Sequence, residues 1–479
     1  MLFNSYHFIW FLPLALAAYW ALRRRVAWQN AWLVVCSYVF YAWWDVRFLL
    51  LIAGMTLVGF CAGRVMEHAA ARRAVRRAAC IAAVTTCVGV LAAFKYYDFF
   101  ASELNALLSA LGLGTSVLPL WHVILPVGIS FYTFQVLSYA IDVYKGRLPA
   151  CRNLVSFAAF VSFFPQLVAG PIERATSLLV QMQQPRTLSY HDAVEGARLM
   201  LWGFVKKMLL ADACAPVVNT VFSNPAATGA DLWCATILFA FQIYGDFSGY
   251  SDIALGTARL FGIRLTQNFR LPYFATSVPD FWRRWHITLM TWFKDYVYIP
   301  LGGSRCSSGR WWRNLAIVFL LSGLWHGANW TFVAWGLFQL LGYLPLLCKT
   351  KAAQRSATVV STGILPRPKE ALQMLATFLF VCIGWVFFRS ESIGAALQHL
   401  VTMFSDVSAW KPYCGFRVFV PVVFVVCAEW LTRHRPCPLD LPPAGPLRCR
   451  AVRWLIYYAL IFAVFYWGGE QSAFIYFQF

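Results

Sequence analysis

Apolar residues along this chain come in blocks long enough to cross a bilayer, for which roughly 20 helical residues suffice. The blocks run from Phe3 to Leu22, Trp28 to Trp44, Phe48 to Gly63, Leu120 to Ile141, Asn153 to Gly170 and Leu232 to Tyr250. Further blocks run around Ala316 to Gly336, from Leu372 to Phe388 and from Phe416 to Trp430. The pattern predicts an all-α polytopic membrane protein with about eleven or twelve transmembrane helices. Arg23, Arg24 and Arg25 follow the first block rather than precede it, the reverse of a cleavable signal peptide, so that block reads as a retained span. No internal repeat and no soluble module break the series, and residues 1–479 read as one membrane-embedded domain. Its least membrane-like stretches, 64–77, 171–192, 349–370 and the Pro-rich 436–446, are short enough to be connections.

One region departs from simple spanning. Residues 251–313 mix Arg259, Arg264, Arg270, Arg283, Arg284, Lys294, Arg305, Arg310 and Arg313 with many Trp, Tyr and Phe. That composition suits a re-entrant or interfacial path. Within it, Ser277-Val278-Pro279-Asp280 has the spacing of a capping box with Pro in the first turn, predicting a helix that starts there, carries His286 two turns in, and stops before Pro300.

Composition agrees with this picture: 60% of residues are hydrophobic and only 13% charged, too few charges to cover a water-soluble surface. The formal charge of +20 collects in alternate connections, 23–25, 64–77, 145–152, 259–313, 349–369 and 433–453. The positive-inside rule makes those cytoplasmic and places the N-terminus outside. No recognition fold or compact basic domain accompanies the charge, so it points to topology and not to nucleic acid. Fourteen cysteines are scattered, without Cys-x-x-Cys or zinc spacing, which implies neither a metal site nor a disulfide framework.

Polar groups at bilayer depth cost roughly 2.5 to 3.5 kcal/mol each on insertion scales and usually face the protein interior. Three blocks carry them in helical register: Ser322, His326 and Asn329; Gln242 and Asp246; and Tyr132, Gln135, Tyr139 and Asp142. Gly323 and Gly327 beside the first stripe, and Gly245 and Gly249 beside the second, allow close approach of a neighbour. A shared interior lined by substrate or water, a tunnel or funnel, explains three such stripes together. His326 as interhelical glue, worth about 1 kcal/mol or less, is the simpler alternative, and the residues sharing its face favour function. For His286, beside Arg283 and Arg284, spacing alone leaves function and packing equal. Asp246 and Asp252 can be general acid and base, ion ligands or helix caps, Asp252 being the better cap. The Gly302-Gly303-Ser304-Arg305 turn offers backbone amides for a phosphate, with Arg310 and Arg313 nearby, although a lone Gly-Gly turn is a weak signal.

Leu324-Trp325-His326-Gly327-Ala328-Asn329-Trp330, taken with Asp246-Phe247-Ser248-Gly249-Tyr250-Ser251-Asp252 and Phe281-Trp282-Arg283-Arg284-Trp285-His286-Ile287, resembles the membrane-bound O-acyltransferase (MBOAT) family, in particular its bacterial alginate O-acetylase branch. Pro126 to Gln135, Val168 to Ile172, Asn268 to Tyr273, Tyr298 to Gly303 and Phe474 to Phe479 extend the likeness nearly end to end. The resemblance implies a helical funnel, with His326 as catalytic histidine and His286 as a second family site. It further implies transfer of an acetyl group from a cytosolic thioester towards an exported polysaccharide, through an extracytoplasmic partner resembling SGNH hydrolases, in the bacterial inner membrane. Peptidoglycan, teichoic acid or lipid are alternative acceptors. The chain departs from the family mainly in the connections 64–77 and 349–370 and in its cysteine count, which leaves partner and polymer open.

Acyl transfer from a thioester needs a base for the incoming hydroxyl and stabilisation of an oxyanion, and neutral imidazole supplies the first near pH 7. His326 is accordingly the expected general base, with Asn329, Ser322 and Asp246 as supporting groups. The cysteines nearest in sequence, Cys306 and Cys348, are distant, so direct transfer is preferred to an acyl-cysteine. Arg283, Arg284, Lys294 and Arg305 are the expected contacts for the phosphates of the donor, acetyl-CoA or an acyl carrier protein, and no bound cofactor is expected. A transporter or flippase is the rival class, since polar stripes also line transport paths. A binding or assembly protein leaves the register of Ser322, His326 and Asn329 without a reason.

Overall fold

The apolar blocks fold as helices because a backbone in lipid must satisfy its own N–H and C=O groups. The computed structural model describes residues 1–68, 72–113, 117–346, 363, 365–406, 415–442, 444–468 and 474–475. Among these there are helices and loops but no β-strand. Val46–His68, Arg73–Ala110 and Pro368–Arg389 are long and apolar enough to cross a membrane, and Tyr6–Ala21, Trp330–Leu341 and Ile393–Ser405 are shorter apolar helices. Large side chains such as Trp10, Leu14, Leu50, Leu337, Leu372 and Phe404 lie exposed on them. Apolar area of that kind belongs against lipid. Most of the connection 349–370 and the last four residues of the terminal motif lie outside the described residues.

The chain forms two compact units, residues 1–194 with 257–266, and residues 195–256 with 267–479. The first contains α1 (Tyr6–Ala21), α2 (Val26–Ala42), α3 (Leu49–His68), α4 (Arg73–Leu91), α5 (Tyr97–Ala110), α6 (Ile129–Tyr144) and α7 (Leu154–Ser162). Helix α6 is buried on nearly every side, its polar Ser130, Thr133, Gln135, Ser138 and Asp142 included. Two predicted blocks are shorter than expected. The stretch before α6 is not helical, because Pro119 and Pro126 each remove a backbone donor. The block 153–170 breaks at Phe163, where Phe164, preceding Pro165, donates its N–H to Ser37 Oγ (3.1 Å).

In the second unit the central element is α9 (Gly229–Leu260), whose last turn belongs to the first unit. Before it comes α8 (Tyr190–Phe204), its later part in this unit, followed by a π-helical segment Val205–Ala211. A β-carbon at Gly249 would meet the Gly203 carbonyl, and one at Gly256 the Gly196 carbonyl, so the two backbones cross in contact. Later elements are α10 (Val278–Arg284), α11 (Ile287–Phe293), α12 (Ser308–His326), α13 (Trp330–Leu341), α14 (Pro368–Arg389), α15 (Ile393–Ser405), α16 (Phe419–Leu431) and α17 (Arg450–Trp467). The predicted block 316–336 is therefore a hairpin of α12 and α13 rather than one helix. Gly323 lies against the Phe332 carbonyl and Gly336 against the Phe319 carbonyl, and only glycine permits that approach.

The region 251–313 is divided between the units and has no single conformation. It finishes α9, continues as loop, forms α10 and α11, adds a π-helical turn Lys294–Tyr298 and then enters α12. The predicted start of α10 is correct: Ser277 Oγ accepts the Asp280 N–H at 3.3 Å. Its predicted length is not. The helix stops at Arg284 because Asn268 and Arg270 bond the backbone there: Arg270 N–H donates to Arg284 C=O (2.9 Å) and Ile287 N–H to Asn268 C=O (2.9 Å). His286 is thus no mid-helix residue but the left-handed hinge between α10 and α11, at φ +44°.

Candidate active site

His326 ends α12, held there because Gly327 is extended and starts the turn to α13. Only 5% exposed, its imidazole sits among rings: Trp325 at 5.0 Å, Trp335 at 5.0 Å and Phe388 at 5.3 Å between centroids, all close to edge-on. Trp335 comes from α13 and Trp385 with Phe388 from α14, with Trp335 and Trp385 stacked at 6.0 Å. Three helices therefore build a buried aromatic enclosure around one imidazole.

His286, 1% exposed, packs against the same Trp325, ring to ring at 5.7 Å. Phe247 of α9 packs edge-on against it at 4.7 Å. Its Nδ1 lies 3.1 Å from Asn268 Oδ1. The same oxygen accepts Thr288 N–H (3.3 Å) and Thr288 Oγ–H (2.9 Å). A backbone amide can only donate, so that atom of Asn268 is an oxygen and His286 Nδ1 carries the proton. In the neutral ring Nε2 then holds the lone pair. A left-handed non-glycine residue costs about 1 to 3 kcal/mol, and Asn268 holds His286 in it.

Asp246, on α9, belongs to a buried ionic cluster. Lys207 Nζ lies 2.8 Å from Asp246 and 2.7 Å from Asp212, and Lys206 Nζ lies 2.7 Å from Asp252. Asp246 also accepts the Ile475 N–H (2.6 Å), tying the C-terminal segment to the helix whose Phe247 touches His286. Next to this, Tyr244 OH donates to the Glu429 carboxylate at 2.9 Å. Asp252 is consequently an ion-pair partner inside a helix and not a cap.

The sequence expectations divide accordingly. Ser322 lies one turn before His326 on the same helix and is buried, as the register predicts. Asn329 lies off that face: with the helix ended at His326, it caps α13 by accepting Thr331 N–H (2.9 Å) and donates Nδ2 to Glu391 C=O (2.9 Å). The stripe on α6 is engaged inside the first unit, where Tyr139 OH accepts Cys151 N–H (2.9 Å) and Asp142 pairs with Arg147 (3.2 Å). Within the second unit, α12 carries Ser322 and His326 on one face, and α9 reaches His286 through Phe247. Arg283, Lys294 and Arg305 are exposed, while Arg284 is partly buried and paired with Asp280 at 3.1 Å. In the Gly302-Gly303-Ser304-Arg305 turn two of the amides are already engaged, Gly302 N–H donating to Ile299 C=O (3.0 Å) and Gly303 N–H to Tyr298 C=O (2.9 Å).

Sequence reasoning passed over Asn268, Lys206, Lys207 and Glu429. The lysine pair and Glu429 each interrupt an apolar run, the signal by which intramembrane charges are found. Asn268 carried no such signal, because it stands in a polar loop.

Comparison with known proteins adds to this geometry. Residues 148–362, which include His286 and His326, match the membrane-bound O-acyltransferase family. The chain is 41% identical over 406 residues to a probable alginate O-acetylase of Pseudomonas aeruginosa, covering 85% of this chain and 75% of that one. The chain belongs to the membrane-bound O-acyltransferase family. It is also 35% identical to the peptidoglycan O-acetyltransferase of Helicobacter pylori, over 84% of this chain and 80% of that one. With the teichoic acid D-alanyltransferase of Bacillus subtilis it shares 28% identity, over 55% of this chain and 69% of that one. As an MBOAT protein the chain is a membrane enzyme, an O-acetyltransferase by its kinship with these relatives.

Proposed function

We propose that this enzyme moves an acetyl group from a cytosolic thioester, acetyl-CoA or an acyl carrier protein, across the bacterial inner membrane for O-acetylation of an exported polysaccharide. The observation that carries the reading is the enclosure of His326 by Trp325, Trp335 and Phe388 beside a second buried histidine. An aromatic wall excludes water, which would otherwise hydrolyse the thioester, and keeps the imidazole available as a base. In this mechanism His326 takes the proton of the acceptor hydroxyl as its oxygen attacks the thioester carbonyl. The tetrahedral intermediate then expels the thiolate, which leaves with the proton. His286, whose Nδ1 is held by Asn268, presents Nε2 as the second polar group of the site. Arg283, Lys294 and Arg305 are exposed cations suited to donor phosphates. An SGNH-hydrolase-like partner outside the membrane then moves the acetyl group from that first hydroxyl to a hydroxyl of the polysaccharide, and the first hydroxyl is released as the free alcohol.

The test is expression of His326→Ala and His286→Ala at wild-type level with measurement of ester-linked acetate on exported glycans. Loss of acetate in both supports the reading, and unchanged acetate in His326→Ala sinks it. Peptidoglycan is the alternative acceptor, favoured by the Helicobacter pylori relative, and separating glycan from cell-wall acetate distinguishes the two. Transport is distinguished with reconstituted protein and labelled acetyl donor, since it requires intact solute to cross.

A further inference from the structure

The first unit holds a polar cleft of about 260 Å³, away from the histidines in sequence and built wholly within that unit. Arg186, Arg259 and Arg264 line it with Gln181, Gln184 and Asp192, so the cations outnumber the single acid. Arg186 is the unusual member. It is 7% exposed, donates Nη2 to Asn30 Oδ1 (2.6 Å) and Nη1 to Met182 Sδ (3.4 Å), and lies over the Tyr19 ring, its centre 5.5 Å from the centroid. Its Nε has no hydrogen-bond partner, and no carboxylate stands within ion-pair distance of its guanidinium among the described residues. A buried cation without a counter-ion is costly, and an anion entering the cleft removes that cost.

The walls are fixed in advance. Gln181 holds Arg264 on both sides, accepting its N–H at 2.9 Å and donating to its C=O at 2.9 Å. Arg264 Nη2 pairs with Asp192 at 3.1 Å, and Asp192 is itself held by Ser189 Oγ–H at 2.7 Å. Asp192 thus occupies a cation that an anionic ligand would otherwise use. The volume is below the roughly 300 to 1,000 Å³ of pockets for drug-sized ligands, so the cleft suits a headgroup or an isolated phosphate and not a whole nucleotide. Arg259 and Arg264 also belong to a basic stretch that the positive-inside rule assigns to the cytoplasmic side, where anionic lipids and soluble phosphates both occur.

From these observations we infer that the Arg186–Arg259–Arg264 cleft is a binding site for a phosphate group, lined by residues other than those of the candidate active site. The ligand is recognised by charge-assisted hydrogen bonds from guanidinium groups, with Arg186 as the buried anchor. The source of the phosphate, a lipid headgroup or a soluble anion, is read by two arms of one experiment.

The purified full chain is placed in nanodiscs of phosphatidylcholine with or without phosphatidylglycerol and examined by native mass spectrometry for retained phosphatidylglycerol. In parallel, inorganic pyrophosphate is titrated while thermal unfolding is followed in phosphatidylcholine alone. Binding in the first arm identifies a headgroup and in the second a soluble phosphate; either supports the site if it weakens about tenfold in Arg259→Gln, the loss of one charge-assisted hydrogen bond. Arg186→Gln should weaken it as much; because Arg186 is buried and its loss also perturbs folding, Arg259→Gln carries the test alone where that variant does not fold. Asp192→Asn should tighten binding by freeing Arg264. The proposal is overturned if neither probe binds wild type, or if binding is the same in wild type, Arg259→Gln and Asp192→Asn.

Discussion

Replacing Asn268 by alanine removes one oxygen that accepts three hydrogen bonds, from His286 Nδ1, Thr288 N–H and Thr288 Oγ–H. In membrane proteins such bonds are worth roughly 0.6 kcal/mol each, so the loss is about 2 kcal/mol. The donors left behind are buried, which raises the cost towards the upper part of the usual 1 to 3 kcal/mol range for an unsatisfied group. The functional loss should be larger than the loss of stability suggests. His286 occupies a strained left-handed conformation, and without Asn268 its ring loses both its orientation and its assigned proton. Purified Asn268→Ala should therefore unfold at a lower temperature in detergent, and cells carrying it should make about a tenth or less of the ester-linked acetate. Thr288→Val, which removes one bond and leaves the histidine contact, should cost about 0.6 kcal/mol and keep most activity. Unfolding and acetate in Asn268→Ala that both match wild type would refute the reasoning.

Four further outcomes are expected. His326→Ala should abolish acetylation while the protein still reaches the membrane at wild-type level, as seen by immunoblot and acetate assay. Lys207→Met leaves Asp212 and Asp246 without their shared cation and should destabilise by about 3 to 5 kcal/mol, measured as folded yield in detergent; adding Asp246→Asn should recover part of it. Gly323→Val drives a side chain into the Phe332 carbonyl and should cost about 1 to 3 kcal/mol, with acetylation falling because the α12–α13 hairpin carries His326. The hydrogen bond from Ser189 and the Arg264 guanidinium hold the Asp192 carboxyl below the usual carboxylate range. Its contribution is thus present above the unfolded value of about 3.9 and disappears as pH falls through the lower folded value. The difference in unfolding temperature between wild type and Asp192→Asn should accordingly vanish between about pH 4 and the acid limit, while a constant difference would contradict it.

Apolar block lengths alone establish an all-helical membrane protein, because lipid leaves the backbone few other ways to satisfy its hydrogen bonds. The same logic singles out His326, since an imidazole in an apolar run is an anomaly visible without coordinates, and it finds the start of α10 from the capping box at Ser277. Local pattern fails where a helix is ended by something distant in sequence. Nothing near Trp285 says that Asn268 and Arg270 will bond the backbone there and turn His286 into a hinge, and nothing near Gly327 compels the chain to reverse so that Asn329 caps α13. Those breaks depend on pairing between segments, as does the aromatic enclosure of His326, which draws Trp335 and Phe388 from two further helices. The ionic cluster of Lys206, Lys207, Asp212, Asp246 and Asp252 was legible only as isolated charges. Which lysine faces which carboxylate follows from the contact of α9 with the segment before it, set by the glycines that let the two backbones meet. Side-chain type and periodicity thus determine what must be buried in this protein, and tertiary packing determines what each buried group is buried against.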